Sequence, residues 1–201
     1  MVIGKWNKSV LVTYIGVIVS VLGMYFAFTH SIKYAMCCLM LAGICDLFDG
    51  RIARSCKRTE EEKKYGVELD SLADVFNFIS FPIVIFIGIG FTEPYLIPLY
   101  ILFAICGIAR LAYFNITTEG STPVRYYLGL PVTYTALILP MLYLLKYVLP
   151  SDLFFIVFPA ALFVISIMNV LSIKVPKPRG IAYILFSLLA IFMLVLYLVI
   201  L

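Results

Sequence analysis

Seven apolar stretches, each long enough to cross a bilayer, dominate the 201-residue sequence: 9–28, 32–50, 70–91, 94–114, 127–149, 151–172 and 181–201. A spanning helix needs about 20 mostly apolar residues, and in lipid only helices or closed barrels satisfy their backbone polar groups. The stretches are continuous, without two-residue alternation, so they read as helices. Hydrophobic residues make up 64% of the chain and charged residues 13%. That balance excludes a soluble domain, which needs polar residues to cover its core, and a disordered chain, which this composition could not keep solvated. The expectation is a single all-α integral membrane domain over 1–201, a helical bundle of about seven transmembrane helices (six to eight, because a break at Pro140 or Pro159 changes the count). The first stretch reads as a span and not as a cleaved leader: it is too long, and Thr29-His30-Ser31 offers no small-x-small site.

Charge orients the bundle. With the N-terminus in the cytoplasm, all of the 15 lysines and arginines except Lys33 and Lys146 fall on inner segments, as the positive-inside rule requires. The expectation is a multi-pass protein of the cell membrane with its C-terminus outside. Arg125, Lys174, Lys177 and Arg179 read as contacts to anionic headgroups of membrane lipids; no nucleic-acid partner is expected. The five cysteines are an odd number without a CxxC pair, which points to neither a disulfide framework nor a zinc site. The lone His30 has no partner nearby in the sequence and is assigned no role.

Chemistry is concentrated between 46 and 74, which holds four of the five aspartates. Asp46, Asp49, Gly50 and Ala53 are spaced to share one helical face, as are Gly66, Asp70 and Asp74 on the next helix. A short polar link makes the two helices antiparallel neighbours, and the charged run 57–64 within it reads as a solvated loop. The two acidic faces then converge at the cytoplasmic mouth of the bundle. Carboxylates gathered beside hydrocarbon repel one another and are costly to desolvate unless a cation neutralises them. An all-oxygen set without histidine or thiolate favours Mg²⁺ or Mn²⁺. Gly50 and Ala53 leave room for a bulky ligand, and Arg51 and Arg54 are placed for its phosphates. Plain interfacial salt bridges are the alternative, but the face-matched spacing of four aspartates argues against them.

The string Asp46-x-x-Asp49-Gly50-x-x-Ala53-Arg54 followed by Gly66-x-x-x-Asp70-x-x-x-Asp74 resembles the signature of the CDP-alcohol phosphotransferases. These membrane enzymes transfer a substituted phosphate from a CDP-alcohol to a hydroxyl and release CMP. The resemblance implies two divalent ions held by Asp46, Asp49 and Asp70, with Asp74 as general base and in reach of a metal. It further implies a nucleotide and phosphate site at Gly50, Ala53, Arg54 and Gly66, and a homodimer. Leu69-Asp70-Ser71-Leu72-Ala73-Asp74, Arg110-Leu-Ala-Tyr-Phe-Asn115, Gly129-Leu130-Pro131 and Ser172-Ile-Lys174-Val-Pro176 are similar to strings of the membrane-type phosphatidylserine synthases within that family. The implied reaction moves a phosphatidyl-type group from a CDP-lipid to L-serine. Asn77, Ile79 and Tyr113 depart from that branch at positions where acceptor contacts could lie.

Arg110 stands at the inner end of an otherwise apolar span, where a cation is costly and often functional. It could bind an acceptor carboxylate with Asn115 or Lys174 nearby, or else snorkel to lipid headgroups. Glycerol phosphate or inositol phosphate as acceptor is the alternative within the family, with Arg110 and Arg125 able to supply two cations. A cation transporter is the rival from another class. Its carboxylates would sit near the bilayer midplane on interrupted helices, not beside a basic loop at one face.

Overall fold

A computed structural model describes residues 4–118, 126–176 and 181–199. Helix α1 (Leu11–Phe28) turns at Thr29–Ser31 into α2 (Ile32–Ser55). His30 takes a positive φ of 57° there, and its Nδ1 lies 2.9 Å from the Gly88 carbonyl oxygen. Helix α2 ends where Cys56 becomes extended, and α3 (Glu60–Val75) starts four residues later. The start of α3 corrects the expectation of a loop over 57–64. Thr59 and Glu62 form a reciprocal capping box, with Glu62 N–H donating to Thr59 Oγ1 at 3.3 Å and Thr59 N–H to Glu62 Oε2 at 2.8 Å. Three glutamates in the first turn also match the positive end of the helix dipole. Lys5 adds a 2.7 Å ion pair to Glu61 on the same turn.

After Val75 the chain widens into one π-helical turn (Phe76–Ser80) and continues as α4 (Phe81–Ile89), closed by Gly90 at φ 117°. Helix α5 (Ile97–Thr118) follows a tight turn at Pro94–Leu96. A short ribbon comes next: β1 (Tyr126–Leu128) pairs antiparallel with β2 (Lys174–Pro176), in the register Tyr127 to Val175. Between these strands lie α6 (Thr135–Tyr143), extended by a tight turn to Tyr147, and α7 (Ser151–Val170); α8 (Ile181–Val199) ends the described chain. The ribbon shortens the span expected at 127–149. Gly129 is left-handed at φ 74° and Pro131 lacks an N–H, so helix cannot begin before Val132. Pro140 and Pro159 lie inside α6 and α7 without dividing either helix.

The fold is otherwise helical. Among the described residues, four helical segments are long and apolar enough to cross a membrane: Leu11–Phe28, Glu60–Ile89, Pro94–Thr117 and Ser151–Val170. Val132–Tyr147 and Leu185–Val199 are shorter apolar helices, and α2, at 24 residues, is long enough but carries Asp46, Asp49, Arg51 and Arg54 in its second half. Length and apolarity alone thus single out four crossings where the sequence leads one to expect about seven. Ile97, Ile101, Ile105 and Ile108 form an exposed stripe along α5 that lipid would solvate.

Small residues set the helix spacing. Gly16, Ser20, Gly23 and Ala27 form a buried stripe on α1, against which α2 and α4 close. A Cβ added at Gly88 would lie 2.9 Å from the Ala27 carbonyl carbon, a backbone group that cannot swing aside. Gly88→Ala is therefore expected to lower stability by about 1–3 kcal/mol, read as a drop in the thermal midpoint in detergent. Helix α8 is tied in by its fully buried Tyr197, whose hydroxyl donates to the Pro140 carbonyl at 2.7 Å.

Candidate active site

The second half of α2 and the first three turns of α3 diverge from the Cys56–Thr59 link and face each other, with the start of α1 as a third wall. Helical periodicity stacks Asp46, Asp49 and Ala53 on the face of α2 that meets Gly66, Asp70 and Asp74 of α3. Carboxylate oxygens of Asp46, Asp49 and Asp70 lie within 4.8 Å of one another. Asp74 closes the same small cavity of about 190 Å³, together with Thr13, Gly16, Cys45, Ala73 and Asn77. Asp49 and Asp74 are only 7% and 8% exposed, so the cluster combines burial with a high density of like charge.

Partners for this charge are few. Thr13 Oγ1 donates to Asp49 Oδ2 at 3.0 Å. The Lys5–Glu61 and Lys63–Glu60 ion pairs do not involve these aspartates. Oxygens sharing one Mg²⁺-sized ion stand at most about 4.2 Å apart, twice the usual metal–oxygen distance. A separation of up to 4.8 Å therefore closes onto an ion by a small side-chain rotation. Hard all-oxygen donors, clustered carboxyl groups and near-ligand spacing all fit Asp46, Asp49 and Asp70 to a divalent cation.

An open cleft of about 610 Å³ adjoins the cluster and shares Asp49, Asp70 and Thr13 with it. Its walls include Ser9, Gly50, Ala53, Arg54, Arg58, Gly66 and Val67. Gly50 and Gly66 leave backbone bare on opposite sides, and the guanidinium groups of Arg54 and Arg58 reach over them, 3.4 and 3.5 Å from where a Cβ would stand. A flat ring can slide between bare helix faces, with arginines at hand for attached phosphates.

A family model for CDP-alcohol phosphatidyltransferase matches residues 6–175. The chain belongs to this family. The relatives it resembles include the CDP-diacylglycerol–serine O-phosphatidyltransferase of Saccharomyces cerevisiae, 40% identical over 115 residues, covering 53% of this chain and 41% of that protein. The Helicobacter pylori protein of the same name is 36% identical over 130 residues (62% of this chain, 53% of the relative). The archaetidylserine synthase of Methanothermobacter thermautotrophicus is 28% identical over 151 residues (75% and 61%). The chain thus spans about half the length of the curated relatives it matches.

Every site residue expected from the sequence lies within the stretch matched to this CDP-alcohol phosphatidyltransferase family, and only α8 falls wholly outside it. The fold brings together Asp46, Asp49, Asp70 and Asp74, and separately Asp49, Asp70, Gly50, Ala53, Arg54 and Gly66. Arg110 is 7% exposed, its guanidinium carbon 5.1 Å from the Phe114 ring and 5.8 Å from the Tyr127 ring, and within electrostatic reach of Asp74 and Asp46. Such burial excludes snorkelling to headgroups. Asn115 donates to Ser71 at 2.8 Å, tying α5 to α3. Lys174 is exposed on β2, outside the cavity that Arg110 lines. Arg125, Lys177 and Arg179 lie outside the described residues. Thr13, Ser9 and Arg58 were not evident from the sequence. Thr13 and Ser9 reach the site through packing of α1 on α2, which no local pattern announces, while Arg58 was concealed in the charged run.

Proposed function

We propose that this protein transfers the phosphatidyl-type group of a CDP-activated lipid to the hydroxyl of L-serine and releases CMP. The observation that carries the reading is the convergence of Asp46, Asp49 and Asp70 at the base of a cleft walled by Gly50, Ala53, Gly66, Arg54 and Arg58. The names of the yeast, Helicobacter and Methanothermobacter relatives support serine as acceptor and leave the lipid tails ester- or ether-linked. In the proposed arrangement about seven helices cross the membrane, the N-terminus and the site face the cytoplasm, and two copies form a homodimer.

Asp46, Asp49 and Asp70, with Asp74 at their inner edge, would hold two divalent ions, Mg²⁺ or Mn²⁺. When bound, such ions neutralise the diphosphate and stabilise the departing CMP. The protein's own residues do the rest. Gly50, Ala53 and Gly66 admit the cytidine against the helix backbones, and Arg54 and Arg58 pair with its phosphates. The Asp74 carboxylate takes the proton from the incoming hydroxyl. The freed oxygen bonds to the lipid-bearing phosphorus, the bond from that phosphorus to the CMP oxygen breaks, and CMP leaves with the electron pair. Direct attack is favoured because no strong side-chain nucleophile stands within the motif.

Purified protein supplied with CDP-diacylglycerol, Mn²⁺ and single acceptors tests the reading. L-serine is expected to release CMP well above the water control. Release with glycerol phosphate or inositol phosphate but not with serine would replace the acceptor, and no release with any of them would remove the transferase reading.

A further inference from the structure

A second cavity, of about 660 Å³, opens on the side of Arg110 formed by α5 and the end of α7, and is lined by Ala109, Arg110, Tyr113, Leu128, Asn169 and Ser172 among others. Asn169 is unusual in this setting. It is 2% exposed, and neither its side-chain Oδ1 nor its Nδ2 has a hydrogen-bond partner; Arg110 Nε is also buried without one. Buried amides and guanidinium N–H groups are costly to leave unmatched, so two such groups on one cavity mark a place where a polar ligand completes the bonding.

The backbone around Asn169 is held rigidly. Gly129 N–H donates to the Ile173 carbonyl and Leu130 N–H to the Met168 carbonyl, both at 2.9 Å. Gly129, at φ 74°, lies so close that a Cβ there would run into the Asn169 carbonyl. The β1–β2 ribbon fastens the same junction from the other side. A rigid support of this kind suits a recognition residue, because little freedom is lost when a ligand binds.

We propose that Arg110 and Asn169 together seat the α-amino-acid head of the acceptor, with the guanidinium on its carboxylate and the Asn169 carboxamide oxygen on its ammonium group. The inference rests on the transferase reading above and specifies how its acceptor is chosen. Arg110 is the one cation among the described residues lining this cavity, and Asn169 Oδ1 can pair only with a donor. A zwitterion satisfies both groups. A phosphate would accept from Arg110 and from Asn169 Nδ2 but would leave Oδ1 without a donor. The same guanidinium is within electrostatic reach of Asp74, the proposed base.

The full-length protein in detergent with CDP-diacylglycerol and Mn²⁺ provides the test, by CMP release from L-serine, ethanolamine (no carboxylate), 3-hydroxypropionate (no ammonium) and glycerol 3-phosphate. In the unaltered protein, kcat/KM for ethanolamine and for 3-hydroxypropionate should each fall at least about tenfold below that for serine; parity of either with serine overturns the proposal without any variant. Asn169→Leu, of similar volume, should raise the serine KM at least about tenfold and narrow the preference over 3-hydroxypropionate by a similar factor. The KM for CDP-diacylglycerol should stay within about twofold, since Asn169 does not line the nucleotide cleft. Arg110→Gln should instead narrow the preference over ethanolamine. A serine KM in Asn169→Leu within about twofold of the unaltered value would sink the proposal and leave the transferase reading standing. Failure of serine to release CMP from the unaltered protein would remove both.

Discussion

Asp74→Asn is expected to lower the rate of CMP release by about 10³-fold, the scale on which a positioned general base contributes. The substitution is nearly isosteric, and Asp74 is 8% exposed among Ala42, Cys45, Ala73 and Asn77, so packing should survive and the thermal midpoint should hold. An amide cannot accept the hydroxyl proton, and the remaining carboxylates of the cavity are committed to the cation. The KM for the CDP-lipid should change little, because the nucleotide cleft is walled by Gly50, Ala53, Arg54, Arg58 and Gly66 and does not include Asp74. Parallel titration of Mn²⁺ separates the two roles of this residue: unchanged Mn²⁺ affinity with lost turnover identifies a base, and equal loss of both identifies a ligand. Activity within tenfold of the unaltered protein would rule out proton transfer to Asp74.

Chelation of divalent ions should abolish CMP release, and Mn²⁺ or Mg²⁺ should restore it. The cluster's electrostatics add a less obvious expectation. Without a cation, carboxylates of Asp46, Asp49 and Asp70 within 4.8 Å of one another oppose folding. Asp46→Asn should therefore raise the stability of the metal-free protein by about 1–2 kcal/mol while removing activity. Saturating Mn²⁺, at about 100 times its dissociation constant, should stabilise the unaltered protein by about 2.7 kcal/mol and the variant by much less. Thermal unfolding with and without metal measures both. A metal-free variant less stable than the unaltered protein would mean that hydrogen bonding, not repulsion, governs the cluster.

These two expectations draw on different levels of the molecule. The acidic faces were legible because helical spacing is a local property: residues three, four and seven apart share a face whatever the tertiary context. Asp46 with Asp49 and Asp70 with Asp74 needed only that rule and the short link between their helices. The charged run 57–64 has the composition of a solvated loop, yet it carries a capping signal. Thr59-x-x-Glu62 is a helix start, and the structure begins α3 at Glu60. The span expected over 127–149 is shortened for a related reason. Tyr126–Leu128 is apolar enough to look helical, yet it pairs with Lys174–Pro176, nearly fifty residues away. Asn115 and Lys174 followed from the same strings as Arg110, but one is tied to Ser71 and the other is exposed.

The sequence by itself determined the solvent, the helical class, the family and the four carboxylates, because hydropathy and helical period depend on residues close together in the chain. Tertiary structure alone decided that Thr13 of α1 bonds Asp49, that Arg58 shares the cleft with Arg54, and that Asn169 lines one cavity with Arg110. Each of these pairings joins a residue to a partner that its own segment does not announce, and close packing around Gly16, Gly23, Gly88 and Gly129 brings the helices and the ribbon near enough for them to form.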